Sequence, residues 1–212
     1  MNFTEKDITG VVVNYCTPVE INNAVTSLIK HHKEMPIIIF DASPYRSPGQ
    51  QMCAKLASQY ANVTHLHTGK NIGHGPGLDM AIKLVDTRLI LIFDSDIVVN
   101  ETPINEMLSV MNENDIYGCG AVLTTNSTGV NAATGIDYLH PYFALIDKAK
   151  YLKYRPFVNH GAPLIATMNQ LHEKGVKVAN VELKGYVHHI GRVTRRLKPK
   201  EFKPGNWERR VT

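Results

Sequence analysis

The chain has few cysteines and no long apolar run. No apolar stretch approaches the roughly 20 residues that a membrane-spanning helix needs. Its three cysteines, Cys16, Cys53 and Cys119, are far apart and lack metal-site spacing, which is typical of reduced thiols in a cytosolic protein. The first ten residues show no signal-peptide pattern. These absences argue against a membrane-spanning chain or a disulfide-stapled secreted domain, and we expect a cytoplasmic protein.

The chain instead has a globular composition with an uneven distribution of charge. Of its 212 residues, 43% are hydrophobic and 20% are charged, which predicts one domain with a substantial core. The net charge of +4 is concentrated in residues 192–210, which contain eight Lys and Arg residues and only two acidic residues, Glu201 and Glu208. Such a tail could contact phosphate or make a peripheral contact with an anionic membrane surface. No nucleic-acid-binding motif accompanies it, so we expect no nucleic-acid partner.

Strand and helix patterns alternate through the first half of the chain. The predicted strands are residues 9–15, 36–40, 63–67 and 89–93, and the predicted helices are residues 20–32, 48–60 and 75–85. This order predicts an α/β fold with a mostly parallel central sheet flanked by helices. The second half is less regular. Its predicted strands are residues 118–124, 142–146, 176–181 and 186–190, and its predicted helices are residues 148–154 and 163–174.

The most informative segment is residues 89–100, in which five apolar residues lead directly into Asp94 and Asp96. The apolar run is typical of a strand buried on both faces. In open α/β sheets, ligands bind outside the carboxyl ends of such strands. Two carboxylates there suit a divalent cation that carries a diphosphate, and a solvated turn is the alternative. Polar residues 14–18 and 41–43 follow two other predicted strands, so we expect all three clusters to meet at one edge of the sheet.

Taken together, five blocks resemble family 2-type glycosyltransferases of the GT-A fold. The blocks are VVVNYCTP, IIIFDASP, GKNIGHGPGLDMA, LILIFDSDIVV and VHHIGRVT. The resemblance implies a GT-A-like catalytic domain over residues 1–191, with a nucleotide-binding half at 1–100, an acceptor half at 101–191 and a basic tail at 192–212. It also implies metal-dependent transfer of a sugar from a nucleotide-sugar donor, expected to be a UDP-sugar, to a glycan, a lipid-linked acceptor or another hydroxyl group.

The same resemblance implies roles for individual residues. Asp94 and Asp96 would form the DxD motif, which holds Mn²⁺ or Mg²⁺ against the donor diphosphate, and His189 would be the third ligand. Asp41 would accept a hydrogen bond from the nucleotide. The further candidates for binding the donor are Thr17, Pro18, Lys70, Asn71, Gly73, Ser95 and Arg192.

The chain departs from the family pattern before the predicted helix at residues 163–174. Inverting members carry an acidic pair there, and one carboxylate is the general base. Residues 158–163 read VNHGAP instead. His160 could be the base, Asp137 could reach the site from another loop, or the enzyme could retain configuration and need neither. The missing pair also keeps a non-catalytic sugar-nucleotide-binding module as an alternative. A sugar-phosphate nucleotidyltransferase is less favoured, because no Gly-rich basic loop follows the first strand.

Overall fold

The structure, a computed structural model, describes residues 2–158 and 161–198. Four strands of its main sheet run parallel in the spatial order β3-β2-β1-β4. They are β1 (Ile8–Asn14), β2 (Ile37–Asp41), β3 (Val63–His67) and β4 (Leu89–Phe93). The helices that connect them are α1 (Pro18–His31), α2 (Pro48–Gln59) and α3 (His74–Lys83). The sequence prediction of a largely parallel sheet is confirmed.

Strand β4 is buried along its whole length because helices cover both faces of the sheet. Leu89, Leu91 and Phe93 pack into one core cluster with the apolar stripes of α1 and α2. Ile90 and Ile92 face the other cluster, which includes the apolar stripe of α3. A strand that alternates between two cores is apolar at every position, and this explains why it is recognisable in the sequence.

The second half of the chain adds antiparallel strands to this sheet. Its elements are β5 (Ile97–Val99), α4 (Ile104–Glu113), β6 (Gly118–Thr125), β7 (Ile136–Asp147), α5 (Lys148–Tyr151), α6 (Ile165–Glu173), β8 (Ala179–Asn180), β9 (Val187–His189) and α7 (Val193–Leu197). Strand β7 runs antiparallel to β4 and to β6, and β8 pairs parallel to β6. The strand predicted at 142–146 is thus only the end of β7, and the strand predicted at 176–181 is reduced to β8.

Strand β7 extends well beyond the end of β4. The pairing of the two strands stops at Phe93 opposite Phe143, whereas β7 begins at Ile136 and pairs there with Thr125 of β6. The hairpin of β6 and β7 therefore projects beyond the carboxyl end of β4 and forms a wall beside it. Strands β5 and β9 form a separate two-stranded sheet at the same end.

The remaining fold predictions concern the termini and membranes. Among the described helices, none combines the length and the apolar character needed to cross a membrane. The basic tail predicted for residues 192–212 lies outside the described residues from residue 199 onward.

Candidate metal centre and adjoining pockets

Two carboxylates and one imidazole converge just past the end of β4. The pairing of β5 with β9 places Ile97 opposite His189, so the histidine lies beside Asp96. His189 Nε2 is 3.3 Å from Asp96 Oδ1 and 3.5 Å from Asp94 Oδ2. One ligand atom from each of the three residues lies within 4.8 Å of the others. Carboxylate oxygens and an imidazole nitrogen fit a divalent cation such as Mn²⁺ or Mg²⁺.

The loop that carries the two carboxylates is anchored by several other elements. Asp94 donates its backbone N–H to the Tyr142 carbonyl on β7 at 3.0 Å, and the Asp96 carbonyl accepts from the Ile190 N–H at 2.9 Å. Between them, the Ser95 and Thr17 hydroxyl oxygens lie within hydrogen-bond distance, 3.2 Å apart. These contacts hold the two carboxylates in place although they repel each other.

The electrostatics of the cluster show an unbalanced negative charge. Burial raises the pKa of Asp94 to about 6, with His189 opposing and Asp96 adding to this shift. Burial also acts on Asp96, but the hydrogen bond and charge of His189 hold the pKa of Asp96 below its ordinary value. In return, Asp96 and Asp94 raise the pKa of His189 against the effect of its burial. Asp94 Oδ1 has no hydrogen-bond partner, so this carboxylate is incompletely satisfied.

Two further histidines that were not predicted as site residues approach Asp94. His74, at the start of α3, has its Nε2 3.5 Å from Asp94 Oδ1, and burial lowers the pKa of His74 to about 4. Burial also lowers the pKa of His140, on the projecting part of β7. Tyr142, two residues further on, stacks parallel on His189 with ring centroids 5.0 Å apart. His74 could have been suggested by its place in the GKNIGHGPGLDMA block, whereas the sequence suggests His140 only as a ring that could stack on a sugar.

The cluster lies where two pockets meet. The larger pocket, of about 620 Å³, is lined by residues that include Val13, Tyr15, Asp94, Asp96 and Arg192. The smaller pocket, of about 220 Å³, lies between the hairpin of β6 and β7 and residues 161–163. The residues that line both pockets are His74, Asp94, His140 and Gly161.

Most of the predicted donor residues lie along the larger pocket. Those that line it are Asn71, Gly73, Asp94, Ser95, Asp96, His189 and Arg192. Arg192 is exposed and adopts a left-handed backbone conformation directly before α7. His188 is exposed, and its neighbour His189 faces the carboxylates, as the alternation of a strand requires.

Other predicted residues are placed differently. Thr17 is fully buried and donates its hydroxyl to Asn14 Oδ1 at 2.7 Å, so it supports the site from beneath. Pro18 forms the first turn of α1. Asp41 is fully buried with both carboxylate oxygens hydrogen-bonded inside the protein. Lys70 is exposed on the loop before α3.

Of the two candidates for the general base, only Asp137 lies within the described residues. Asp137 is exposed on β7 and lies outside both pockets. His160 lies outside the described residues. Both assignments therefore stay predictions.

Comparison with solved structures identifies the fold. A mannosyltransferase from Pyrobaculum calidifontis, in complex with GDP-Man and Mn²⁺, superimposes with a TM-score of 0.66 at 12% identity, over 82% of this chain and 54% of its own length. S. aureus TarS 1-349 superimposes with a TM-score of 0.61 at 17% identity, over 86% of this chain and 60% of its own length. The same protein in complex with UDP-GlcNAc gives a TM-score of 0.58 at 16% identity, with coverages of 85% and 57%.

These structures are longer than this chain, which spans between half and two thirds of their length. At such identities the similarity shows the fold, and it confirms the GT-A-like architecture predicted from the sequence. None of the curated protein sequences matches the chain significantly. The sequence profile described as "Glycosyl transferase family 2" matches residues 11–170, which is most of the chain. The chain therefore belongs to glycosyl transferase family 2.

Proposed function

We propose that this chain is a metal-dependent glycosyltransferase, which moves a sugar from a nucleotide-sugar donor to a hydroxyl group of its acceptor. The observation that carries the proposal is the cluster of Asp94, Asp96 and His189 at the carboxyl end of β4 in a family 2 domain. Two of the similar structures contain GDP-Man or UDP-GlcNAc, and the first also contains Mn²⁺. As donor we propose a UDP-sugar, and as acceptor a glycan or a lipid-linked saccharide.

The side chains along the larger pocket have separate tasks in this proposal. Asp94, Asp96 and His189 would hold Mn²⁺ or Mg²⁺, and the cation supplies Lewis-acid stabilisation of the charge that develops on the nucleoside diphosphate. Tyr15 and Asn71, which line this pocket, would contact the nucleoside. Arg192, which also lines the pocket, would donate hydrogen bonds to the diphosphate oxygens.

The acceptor must lose a proton during transfer. Its hydroxyl oxygen forms a bond to the anomeric carbon while the bond from that carbon to the diphosphate oxygen breaks, and the hydroxyl proton passes to a base. We propose His160 and Asp137 as the candidates for this base. A reaction that retains configuration would need neither of them.

The test is hydrolysis of UDP-sugars to UDP in the presence of Mn²⁺, measured for the unaltered protein and for Asp96→Asn. Because Asp96 would supply a direct ligand of the cation, we expect turnover to fall about a hundredfold or more in this variant. The matched control is Asp86→Asn, which neutralises an exposed carboxylate away from both pockets and should keep full activity. EDTA should abolish turnover and added Mn²⁺ should restore it. Unchanged turnover in Asp96→Asn at equal folded fraction would contradict the proposal.

One observation favours the second candidate function, a non-catalytic module that binds sugar nucleotides. Residues 155–163, which precede α6, contain no carboxylate that could be a general base. Calorimetry with UDP and Mn²⁺ separates the two functions when it is combined with the hydrolysis assay. Metal-dependent binding of UDP without hydrolysis or transfer would identify the module.

A further inference from the structure

The smaller pocket has the size of a single sugar ring. Whole-ligand sites usually enclose about 300–1,000 Å³, and the larger pocket, with about 620 Å³, falls within that range. The smaller one encloses about 220 Å³. It adjoins the larger pocket at Asp94 and His140. A group that enters it is therefore an appendage of a ligand whose main part lies in the larger pocket, or a small separate molecule.

Two polar atoms without partners belong to residues that line this pocket. Among the described residues, four buried side-chain polar atoms have no hydrogen-bond partner, and two of them are Asp94 Oδ1 and Thr125 Oγ1. Thr125 is 1% exposed, so little bulk water reaches its hydroxyl. A buried polar atom without a partner destabilises a protein, and such atoms are rare in native structures. Because both atoms belong to residues that line one small pocket, they favour a ligand that carries hydroxyl groups.

The polar groups of the pocket are complementary to hydroxyl groups. The Tyr142 N–H donates to His140 Nδ1 at 3.3 Å, so a neutral His140 carries its proton on Nε2 and is a donor. Ionised Asp94 only accepts, and the Thr125 hydroxyl does both. A sugar hydroxyl also donates and accepts, whereas a phosphate group only accepts and would be repelled by Asp94. The apolar walls at Pro141, Ala162 and Pro163 can cover the C–H faces of a ring.

We propose that the smaller pocket binds the sugar ring of the donor, and that Thr125 and His140 are specificity-determining residues for that ring. The proposal rests on the function proposed above. With the diphosphate at Asp96 and His189, the sugar follows after one bridging oxygen and must lie next to the cluster. Asp94 connects the cluster to the smaller pocket. Its Oδ2 is 3.5 Å from His189 Nε2, its Oδ1 has no hydrogen-bond partner, and the residue lines both pockets.

The experiment compares nucleotide sugars with the corresponding bare nucleotides. Calorimetry in Mn²⁺ gives the Kd of UDP-GlcNAc, UDP-glucose and GDP-mannose and those of UDP and GDP. Thr125→Val removes only the hydroxyl, and Thr124→Val is the matched control because Thr124 is exposed on the neighbouring position of β6. For at least one sugar nucleotide, Thr125→Val should weaken binding by about three- to tenfold, the usual effect of one lost hydrogen bond. The Kd of UDP and of GDP for Thr125→Val, and the Kd of every ligand for Thr124→Val, should change less than about twofold.

Three outcomes overturn the proposal. If Thr125→Val weakens the binding of sugar nucleotides and bare nucleotides equally, a sugar subsite is excluded. If it weakens the binding of neither, a sugar subsite is also excluded. A raised KM for free glucose, galactose or mannose as acceptors, with unchanged donor Kd, would assign the pocket to the acceptor instead.

Failure of the proposed function gives a different result. If the unaltered protein binds neither UDP nor GDP with Mn²⁺, the donor site is absent, and the pocket is tested alone by saturation-transfer NMR with free glucose, mannose and GlcNAc. A signal that Thr125→Val removes and Thr124→Val keeps would support a sugar-ring pocket. No signal in the unaltered protein would overturn it.

Discussion

Asp41 and Asp94 are carboxylates at the ends of two parallel strands, β2 and β4, with only β1 between them. Asp41 is fully buried and Asp94 is partly buried. Asp41 accepts hydrogen bonds from the Asn14 amide and the Ser43 N–H, both at 3.0 Å, and its other oxygen is 3.1 Å from His65 Nε2. Asp94 Oδ1 has no hydrogen-bond partner, and its ion-pair neighbour, His74 Nε2, is 3.5 Å away. The same residue type at the same edge of the sheet is thus satisfied within the protein in one case and incompletely satisfied in the other.

The pKa values of the two groups differ accordingly. Burial acts on both, but the hydrogen bonds from His65, Ser43 and Asn14 hold the pKa of Asp41 below its ordinary value. At Asp94 burial dominates and raises the pKa to about 6. Partners within the protein are typical of a carboxylate that stabilises the fold, and their absence is typical of one that awaits a ligand. The predicted contact of Asp41 with the nucleotide stays a prediction, and its oxygens would have to exchange partners to make it.

The largest expected effect comes from neutralising each carboxylate in turn. Asp94→Asn should lower turnover of UDP-sugars about a hundredfold or more and leave the free energy of unfolding equal or higher. Asp41→Asn should lower the free energy of unfolding by about 2–4 kcal/mol, because its buried donors lose a charged acceptor. Urea denaturation and turnover per folded molecule measure the two effects. If Asp94→Asn unfolded the protein while Asp41→Asn stopped turnover at full stability, the comparison would be reversed.

The second prediction concerns the pH dependence of stability in the metal-free protein. Because the folded-state pKa of Asp94 is about 6 instead of 3.8, the folded protein binds more protons than the unfolded chain between about pH 4 and pH 6. The contribution of Asp94 to stability therefore falls as the pH rises through this window. Asp41 has a lowered pKa, so its contribution is present above pH 3.8 and is lost as the pH falls through its folded-state value.

Urea denaturation in EDTA at intervals from pH 4 to pH 7 measures this difference. Relative to Asp94→Asn, the unaltered protein should lose about 1–3 kcal/mol of stability between pH 4 and pH 7. Asp86→Asn is the control and should follow the unaltered protein. Parallel curves for the unaltered protein and Asp94→Asn would show that Asp94 titrates normally and that its burial has no electrostatic consequence.

The sequence predicts those parts of the structure whose conformation is set by the local pattern of residues. Both ends of β3 and of β4 are predicted to the residue, because turn-forming residues flank each strand. The meeting of residues 41–43 and Asp94 at one edge follows from parallel topology alone. Helix α4 was missed although Ile104, Met107, Leu108 and Met111 have helical spacing and are buried.

The projecting hairpin could not be predicted in the same way. Residues 136–141 read IDYLHP, in which charged, aromatic and apolar residues alternate without a regular period, and a proline follows His140. These residues form a strand because β6 pairs with them, and that contact is not local in the sequence. For this reason Thr125 was missed as a site residue, and the approach of His140 to Asp94 was not predicted. The most informative residues of the smaller pocket therefore depend on tertiary structure.

The smallest expected effect concerns the aromatic neighbours of the two carboxylates. Tyr142 stacks parallel on His189 at 5.0 Å, whereas Tyr45 lies tilted beside His67 at 6.0 Å, near Asp41. If stacking orients His189 toward the cation, Tyr142→Leu should weaken Mn²⁺ binding about three- to tenfold, and Tyr45→Leu should leave it unchanged. Electron paramagnetic resonance titration of free Mn²⁺ measures both. If Tyr142→Leu and Tyr45→Leu bind Mn²⁺ with equal affinity, the pairing of β5 with β9 and the contact with Asp96 orient His189 without help from the tyrosine ring.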